Sequence, residues 1–180
     1  PKVESEETEQ ETPVQAAMEP VKVAEKPGPI LEAGNTASPE QKKKAAALNR
    51  RGEAALKSES FQQAADMLEK SLALDPSNIS ALRMKAHVLV ELNRMEEAIE
   101  FGLKAIRLGA PLEEATELYQ LLGQAHQSLG RTQEAKTAYE NFLKLAPKSE
   151  REETRENAQF IRQLLTTLEQ EGPKGADSGD

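Results

Sequence analysis

The residues of this chain that could do chemistry are its histidines and its neighbouring acids. The chain has no cysteine and two histidines, His87 and His126, which lie 39 residues apart. Thiolate catalysis and disulfides are therefore excluded, and a zinc site with the usual ligands has no support. The acid pairs at 96–97 and 113–114 each fall in the first turn of a predicted helix, where carboxylates complement the helix dipole. We therefore expect no metal site at either acid pair.

Known catalytic motifs are missing from the sequence. It contains no phosphate-binding glycine loop, no GxSxG elbow and no HExxH pair. Without converging titratable groups there is no basis for a reaction. We expect a chain that is not an enzyme, with no catalytic residue, no cofactor and no metal.

The negative charge of the chain is concentrated at its ends. Residues 1–37 hold five prolines and eight acids against three lysines, and residues 171–180 hold three acids against one lysine. Neither stretch has the apolar periodicity that would offset the entropy of ordering, so both are predicted to be disordered tails. The net charge of −8 then leaves −1 for residues 38–170, with no basic stripe. Nucleic-acid binding is not expected, because cationic side chains supply most of its affinity.

No run of the sequence approaches the roughly 18 apolar residues that span a bilayer. We expect a soluble chain without direct membrane insertion, and the cytoplasm is the favoured compartment. The chain begins at Pro1 without an initiator methionine. A periplasmic protein, or one tethered to a membrane by a missing upstream segment, therefore stays open as an alternative.

A segment of the sequence recurs with a period of about 34 residues. The first copy consists of GEAAL at 52–56 and QQAADMLEKSLALDP at 62–76. The second consists of AHVLVEL at 86–92 and EEAIEFGLKAIRL at 96–108. The third consists of GQAHQSLG at 123–130 and QEAKTAYENFLKLAP at 133–147. A period of this length predicts helical hairpins stacked side by side, since each hairpin has an apolar face that only a neighbour can cover.

Seven helices are predicted from this periodicity and its punctuation. Their approximate ranges are 39–57, 60–74, 78–92, 95–108, 111–129, 132–145 and 149–170. Serines followed three residues later by glutamine or glutamate predict capping boxes at Ser38, Ser60 and Ser149. The last helix has one predicted apolar stripe, formed by Phe160, Ile161, Leu164, Leu165 and Leu168.

These residues resemble the tetratricopeptide repeat family over 45–147. The family needs small residues where its paired helices cross, and the matching pairs here are Gly52 with Ala64, Ala86 with Ala98, and Gly123 with Ala135. The resemblance implies an all-α fold, a right-handed superhelical stack of three helix hairpins with a seventh capping helix. The implied domain covers 38–170, with repeats at about 45–78, 79–112 and 116–149 and the capping helix at about 149–170.

Three positions depart from the family pattern. Gly102 stands where a bulky residue is usual, so we expect Phe101 to turn toward the gap. Phe142 replaces a small residue, which predicts a wider packing against the seventh helix. His126 stands where tyrosine is the norm, and we expect it to be packed or hydrogen-bonded in the interior.

The resemblance implies a non-catalytic scaffold that binds a peptide or helix of a protein partner. In the family, the first helix of each repeat lines a concave groove. The corresponding residues here are Asn49, Glu53, Arg83, Met84, His87, Gln120 and Gln124, with Lys57, Glu91, Leu121 and Ser128 beside them. We expect a monomer, and the acidic tail stays open as an alternative binding surface.

Co-chaperones of this family hold C-terminal carboxylates in a clamp of lysine, asparagine and arginine. The clamp positions of this chain hold Asn49, Glu53, Met84, Glu117 and Leu121. None matches, and Glu53 would repel a carboxylate, so a clamp role is disfavoured. A regulatory or targeting domain of a larger enzyme or membrane-anchored machine stays open as the second interpretation.

Overall fold

The computed structural model describes residues 37–170, and this part of the chain is all-α, as predicted. The predicted tails lie outside the described residues, apart from Ala37. A 3-10 turn, Ala146–Lys148, precedes the last helix. The helices are α1 Pro39–Lys57, α2 Phe61–Leu74, α3 Ile79–Glu91, α4 Met95–Arg107, α5 Leu112–Ser128, α6 Thr132–Leu145 and α7 Glu152–Gln170.

The helices pack as successive hairpins. Helix α1 packs on α2, α3 on α4, and α5 on α6, while the α2–α3 and α4–α5 contacts join each hairpin to the next. The first helices of the hairpins also touch, α1 with α3 and α3 with α5. They therefore share one face of the stack, and any groove on that face is built from them.

Small residues permit the close crossing within the hairpins. A Cβ atom at Gly52 would lie 3.0 Å from Cγ of Leu68, and one at Gly123 would overlap the ring of Tyr139. In the first and third hairpins, a side chain from the second helix thus lies directly on the backbone of the first helix. This is the physical reason for the small residues that the sequence showed.

The space beside Gly102 is filled from the next hairpin. A Cβ atom there would lie 3.3 Å from Cδ2 of Leu122 and 3.6 Å from Cδ2 of Leu118, both on α5. Phe101 is half-buried, with its ring centroid 6.0 Å from Nζ of Lys85. The leucines of α5 thus lie beside Gly102, and the turn of Phe101 toward this space stays a prediction.

Two of the three predicted capping boxes do not form. Ser38 makes one with Gln41, whose backbone N donates to Oγ of Ser38 at 3.2 Å. Ser60 has φ −83° and ψ 62°, outside the extended backbone that places a capping hydroxyl, and it makes no cap hydrogen bond. Ser149 donates its Oγ proton to Oε2 of Glu113 at 2.6 Å instead of pairing with Glu152.

Helix α7 covers the end of the stack with part of its apolar stripe. Ile161 and Leu168 are buried, and Phe142 of α6 is 1% exposed. Phe160, however, is 65% exposed, so its predicted place in the buried stripe is wrong. Consecutive helical residues point about 100° apart, and α7 has the rest of the stack on one side only. Its contact with α6 is less extensive than that between α4 and α5, in line with the expected wider packing.

His126 is packed in the interior without a hydrogen bond. It is 1% exposed, and neither ring nitrogen has a partner among residues 37–170. Burial lowers its pKa, since the charged imidazolium would lose its hydration; Glu134 opposes this effect and Arg131 adds to it. Of the two expected states of His126, packed or hydrogen-bonded, the structure therefore shows the packed one.

We expect a histidine-dependent loss of stability as the pH falls. The folded state disfavours protonated His126, so the stabilisation is complete above the unfolded pKa of about 6.5 and is lost toward the lowered folded-state pKa. Replacing His126→Phe should flatten the dependence of the free energy of unfolding on pH in this window, as measured by urea denaturation. The control His87→Gln removes the exposed histidine and should keep the slope; equal slopes in the wild type and His126→Phe would contradict the prediction.

Candidate functional site

A groove of about 390 Å³ lies between α3, α5 and the first turns of α7. Five residues of α3, five of α5 and three of α7 line it, together with Leu56 of α1 and Arg151 just before α7. We call this space the groove. The α3–α5 contact brings the two longer walls together, and α7 closes one end.

The structure places five of the seven predicted site residues on the wall of the groove. They are Arg83, Met84, His87, Gln120 and Gln124. Arg83 and His87 on α3, and Gln120 and Gln124 on α5, are each four residues apart, which puts each pair on one helical face. Glu91 and Leu121, expected beside them, also line it.

Asn49 and Glu53 of α1 do not line the groove. Nδ2 of Asn49 donates to Oδ1 of Asn78 at 3.2 Å, and that same oxygen caps α3 by accepting from Ala81 N. Glu53 pairs with Lys57 at 2.8 Å on the exposed side of α1, and this hydrogen bond lowers the pKa of Glu53. Local partners on α1 and at the start of α3 thus engage both side chains.

The floor of the groove is apolar. Met84, Leu118 and Leu121 are 6%, 1% and 8% exposed, and Leu56 and Val90 are half-buried beside them. His87 and Gln124 stand at the rim and are exposed. An apolar floor under a polar rim is the usual make-up of a site that binds side chains of a peptide.

Two arginines at the groove share one glutamate. Oε2 of Glu117 accepts from Nη1 of Arg83 at 2.9 Å, and Oε1 accepts from Nη1 of Arg151. Nε of Arg151 also lies 3.5 Å from Oε2 of Glu113. Glu113 further accepts from Ser149 and from the backbone N of Glu150, and the bond from Ser149 is the main cause of its lowered pKa. The start of α7 is thereby tied to α5 and, through Glu117, to α3.

Sequence reasoning missed the contribution of α7 and of the turn before it. Arg151, Glu153, Thr154 and Asn157 line the groove, although the predicted site took residues only from the first helices of three repeats. A signal existed: Arg83, Glu117 and Arg151 are spaced by 34 residues, the repeat period. Extending the period by one step would have placed Arg151 next to Glu117.

The part of the chain that the structure describes lacks two further features. Among residues 37–170, no three or more histidines, aspartates or glutamates converge as ligands for a metal ion. None of the seven helices is long and apolar enough to cross a membrane.

Family comparisons match the repeat region. Two models, both described as tetratricopeptide repeat, match residues 49–113 and 116–149. A Dictyostelium discoideum protein described as STIP1 homolog is 30% identical over an alignment of 127 residues, which covers 67% of this chain and 21% of that protein. The chain therefore spans about a fifth of the length of this curated relative.

Solved structures share the fold. The Arabidopsis OM64 TPR domain aligns with a TM-score of 0.61 at 21% identity, covering 71% of this chain and 98% of that one. The first TPR of Spaghetti (RPAP3), bound to the HSP90 peptide SRMEEVD, aligns with a TM-score of 0.58 at 26% identity, covering 69% and 95% respectively.

Proposed function

Since the chain belongs to the tetratricopeptide repeat family, we propose that it is a non-catalytic scaffold that binds a peptide segment of a protein partner in the groove of α3, α5 and α7. The first TPR of Spaghetti (RPAP3), which shares its fold, is bound to a peptide, and this supports a protein-interaction role. The choice of the groove as the binding surface is our proposal.

The observation that carries the proposal is the combination of an apolar floor with an accessible polar rim. At about 390 Å³, the groove has the size of sites that take a few side chains of a ligand. Met84 and Leu121 offer apolar surface at the base, while His87 and Gln124 stand exposed above them and can donate or accept hydrogen bonds. An extended or helical segment with one or two apolar anchors fits this arrangement.

Recognition of a free C-terminal carboxylate is not part of the proposal. The clamp positions in the groove hold Met84, Glu117 and Leu121, which give a carboxylate no donor. Glu53, at a fourth clamp position, is an acid already paired with Lys57. We therefore infer that the groove recognises internal side chains of its partner.

A display screen tests the function. Random peptides would be selected on the full chain, and the affinity of the selected peptides measured by fluorescence anisotropy. We expect the double change His87→Ala with Gln124→Ala to weaken binding by about tenfold or more, because both side chains face the ligand across the floor. The melting temperature should barely change, since exposed polar side chains contribute about 0.5 kcal/mol or less to folding.

A matched control places the same number of changes on α6. Gln133→Ala with Glu140→Ala alters two exposed positions outside the groove and should leave affinity unchanged. Selected peptides that bind the His87 and Gln124 double variant as tightly as the wild type would contradict the proposal. If binding instead disappears on removal of residues 1–36, the acidic tail is the binding surface.

A further inference from the structure

We propose that the groove selects a partner segment in which lysine or arginine stands next to an apolar residue. This inference rests on the proposed function, because it names the chemistry of the segment that the groove binds. It follows from which charges of the groove are already paired within the chain and which are not.

The arginines of the groove are neutralised internally. Both arginines donate to Glu117, and the Nη1 atom of Arg83 lies 2.9 Å from its carboxylate. Arg151 has a second carboxylate partner, Glu113, at 3.5 Å. An acidic ligand would meet arginines whose positive charge the chain's own carboxylates already offset. Its electrostatic gain at these side chains would therefore be small.

The glutamates at the rim have no such partners. Glu91, at the end of α3, and Glu153, in the first turn of α7, both line the groove and are exposed. Among residues 37–170, neither carboxylate makes an ion pair or a side-chain hydrogen bond with another described residue. The charges left for a ligand to neutralise are therefore negative, one on each of two walls.

The net charge of the groove lining is also negative. It carries three glutamates against two arginines, which is a net charge of −1 with His87 neutral. A lysine or arginine of a partner can reach Glu91 or Glu153 without breaking any pair of the chain, while a neighbouring apolar side chain lies on Met84 and Leu121. An acidic segment meets the opposite situation, so charge complementarity favours the basic one.

The test compares two labelled peptides that differ only in charge. The peptides GSKLALKSG and GSELALESG, both amidated, would be titrated with the full chain by fluorescence anisotropy at a fixed, low salt concentration. We expect the lysine peptide to bind about tenfold more tightly than the glutamate peptide. This is the ratio of dissociation constants that two exposed ion pairs can provide. Equal affinities, or tighter binding of the glutamate peptide, would overturn the inference.

Paired variants separate this site from the general charge of the chain. Glu91→Gln with Glu153→Gln should abolish the preference for lysine, whereas Glu140→Gln with Glu156→Gln, which changes the net charge equally outside the groove, should retain it. Loss of the preference in both pairs would overturn the inference. Glu117→Gln should release the two arginines and raise the affinity for the glutamate peptide; no rise would count against the internal pairing on which the inference depends.

The remaining outcomes distinguish this inference from the proposed function. If both peptides bind equally and the His87 and Gln124 double variant weakens both, the groove is the binding site and only the charge selection is wrong. If neither peptide binds and the display screen selects none, both proposals fall. If the lysine peptide binds more tightly after removal of residues 1–36, the chain's own tail competes for the groove. The tail would then be the occupant, and the proposal of a separate partner would be wrong.

Discussion

Replacing Ile161→Ala is expected to lower the free energy of unfolding by about 3 kcal/mol, because it opens a cavity in the contact that caps the stack. Ile161 is 2% exposed and belongs to the same core cluster as Phe142 of α6, so its lost methyl groups leave space that the neighbours cannot fill. The measurement is urea denaturation of the full chain, followed by circular dichroism. A change in the midpoint at constant slope reports the loss of stability.

The neighbouring Phe160→Ala is the matched control. Phe160 is 65% exposed, so its truncation should cost about 0.5 kcal/mol or less. Isoleucine and phenylalanine have similar helix propensities. Replacement by alanine therefore favours the helix by nearly the same free energy in the two variants. The difference between them isolates burial. Equal losses, or a larger loss at Phe160, would mean that α7 turns a different face to the stack.

The helices of the repeats were predictable because their determinants are local. Apolar residues at helical spacing recur with the repeat period, and turn residues separate them, so each of the seven predicted helices corresponds to an observed one. Gly52 and Gly123 were recognisable for the same reason, since close crossing imposes a small residue at a fixed place in each hairpin.

The face that α7 presents could not be read from its pattern alone. The apolar residues from Phe160 to Leu168 cover more of the helix circumference than one contact can bury. Which of them is left exposed depends on the angle at which α7 meets α6. Before α7, Arg151 and Ser149 pair with acids of α5, which lie 34 to 38 residues earlier in the chain.

Part of the groove escaped prediction for a related reason. The residues of α3 and α5 were found because they follow the repeat, but Asn49 takes part in the cap of α3 and is engaged elsewhere. Arg151 lies at the groove because it pairs with Glu117, which is one repeat earlier in the chain. Contacts between side chains that are distant in sequence depend on the assembled stack, so propensity and periodicity do not define them.

Gly123→Ala is the second change with a large expected effect, a loss of about 2 kcal/mol. Alanine alone would favour the helix by about 1 kcal/mol. The added Cβ atom, however, would overlap three ring atoms of Tyr139, which is 2% exposed. The ring is also held at its far end, where its hydroxyl donates to Oε1 of Gln127 at 2.9 Å. It can yield only if α5 and α6 move apart, and overpacking of this kind costs up to about 3 kcal/mol.

Gly102→Ala distinguishes this steric cost from a general intolerance of the helices to change. Its Cβ atom would lie 3.3 Å from a terminal methyl carbon of Leu122, which can shift by a few tenths of an ångström, so we expect the stability to be unchanged or slightly raised. A double-mutant cycle then assigns the clash: Tyr139→Leu should cost less in the Gly123→Ala chain than in the wild type, because it removes the ring that the new methyl group meets. Additive losses would show that Gly123 is required for a reason other than its contact with Tyr139.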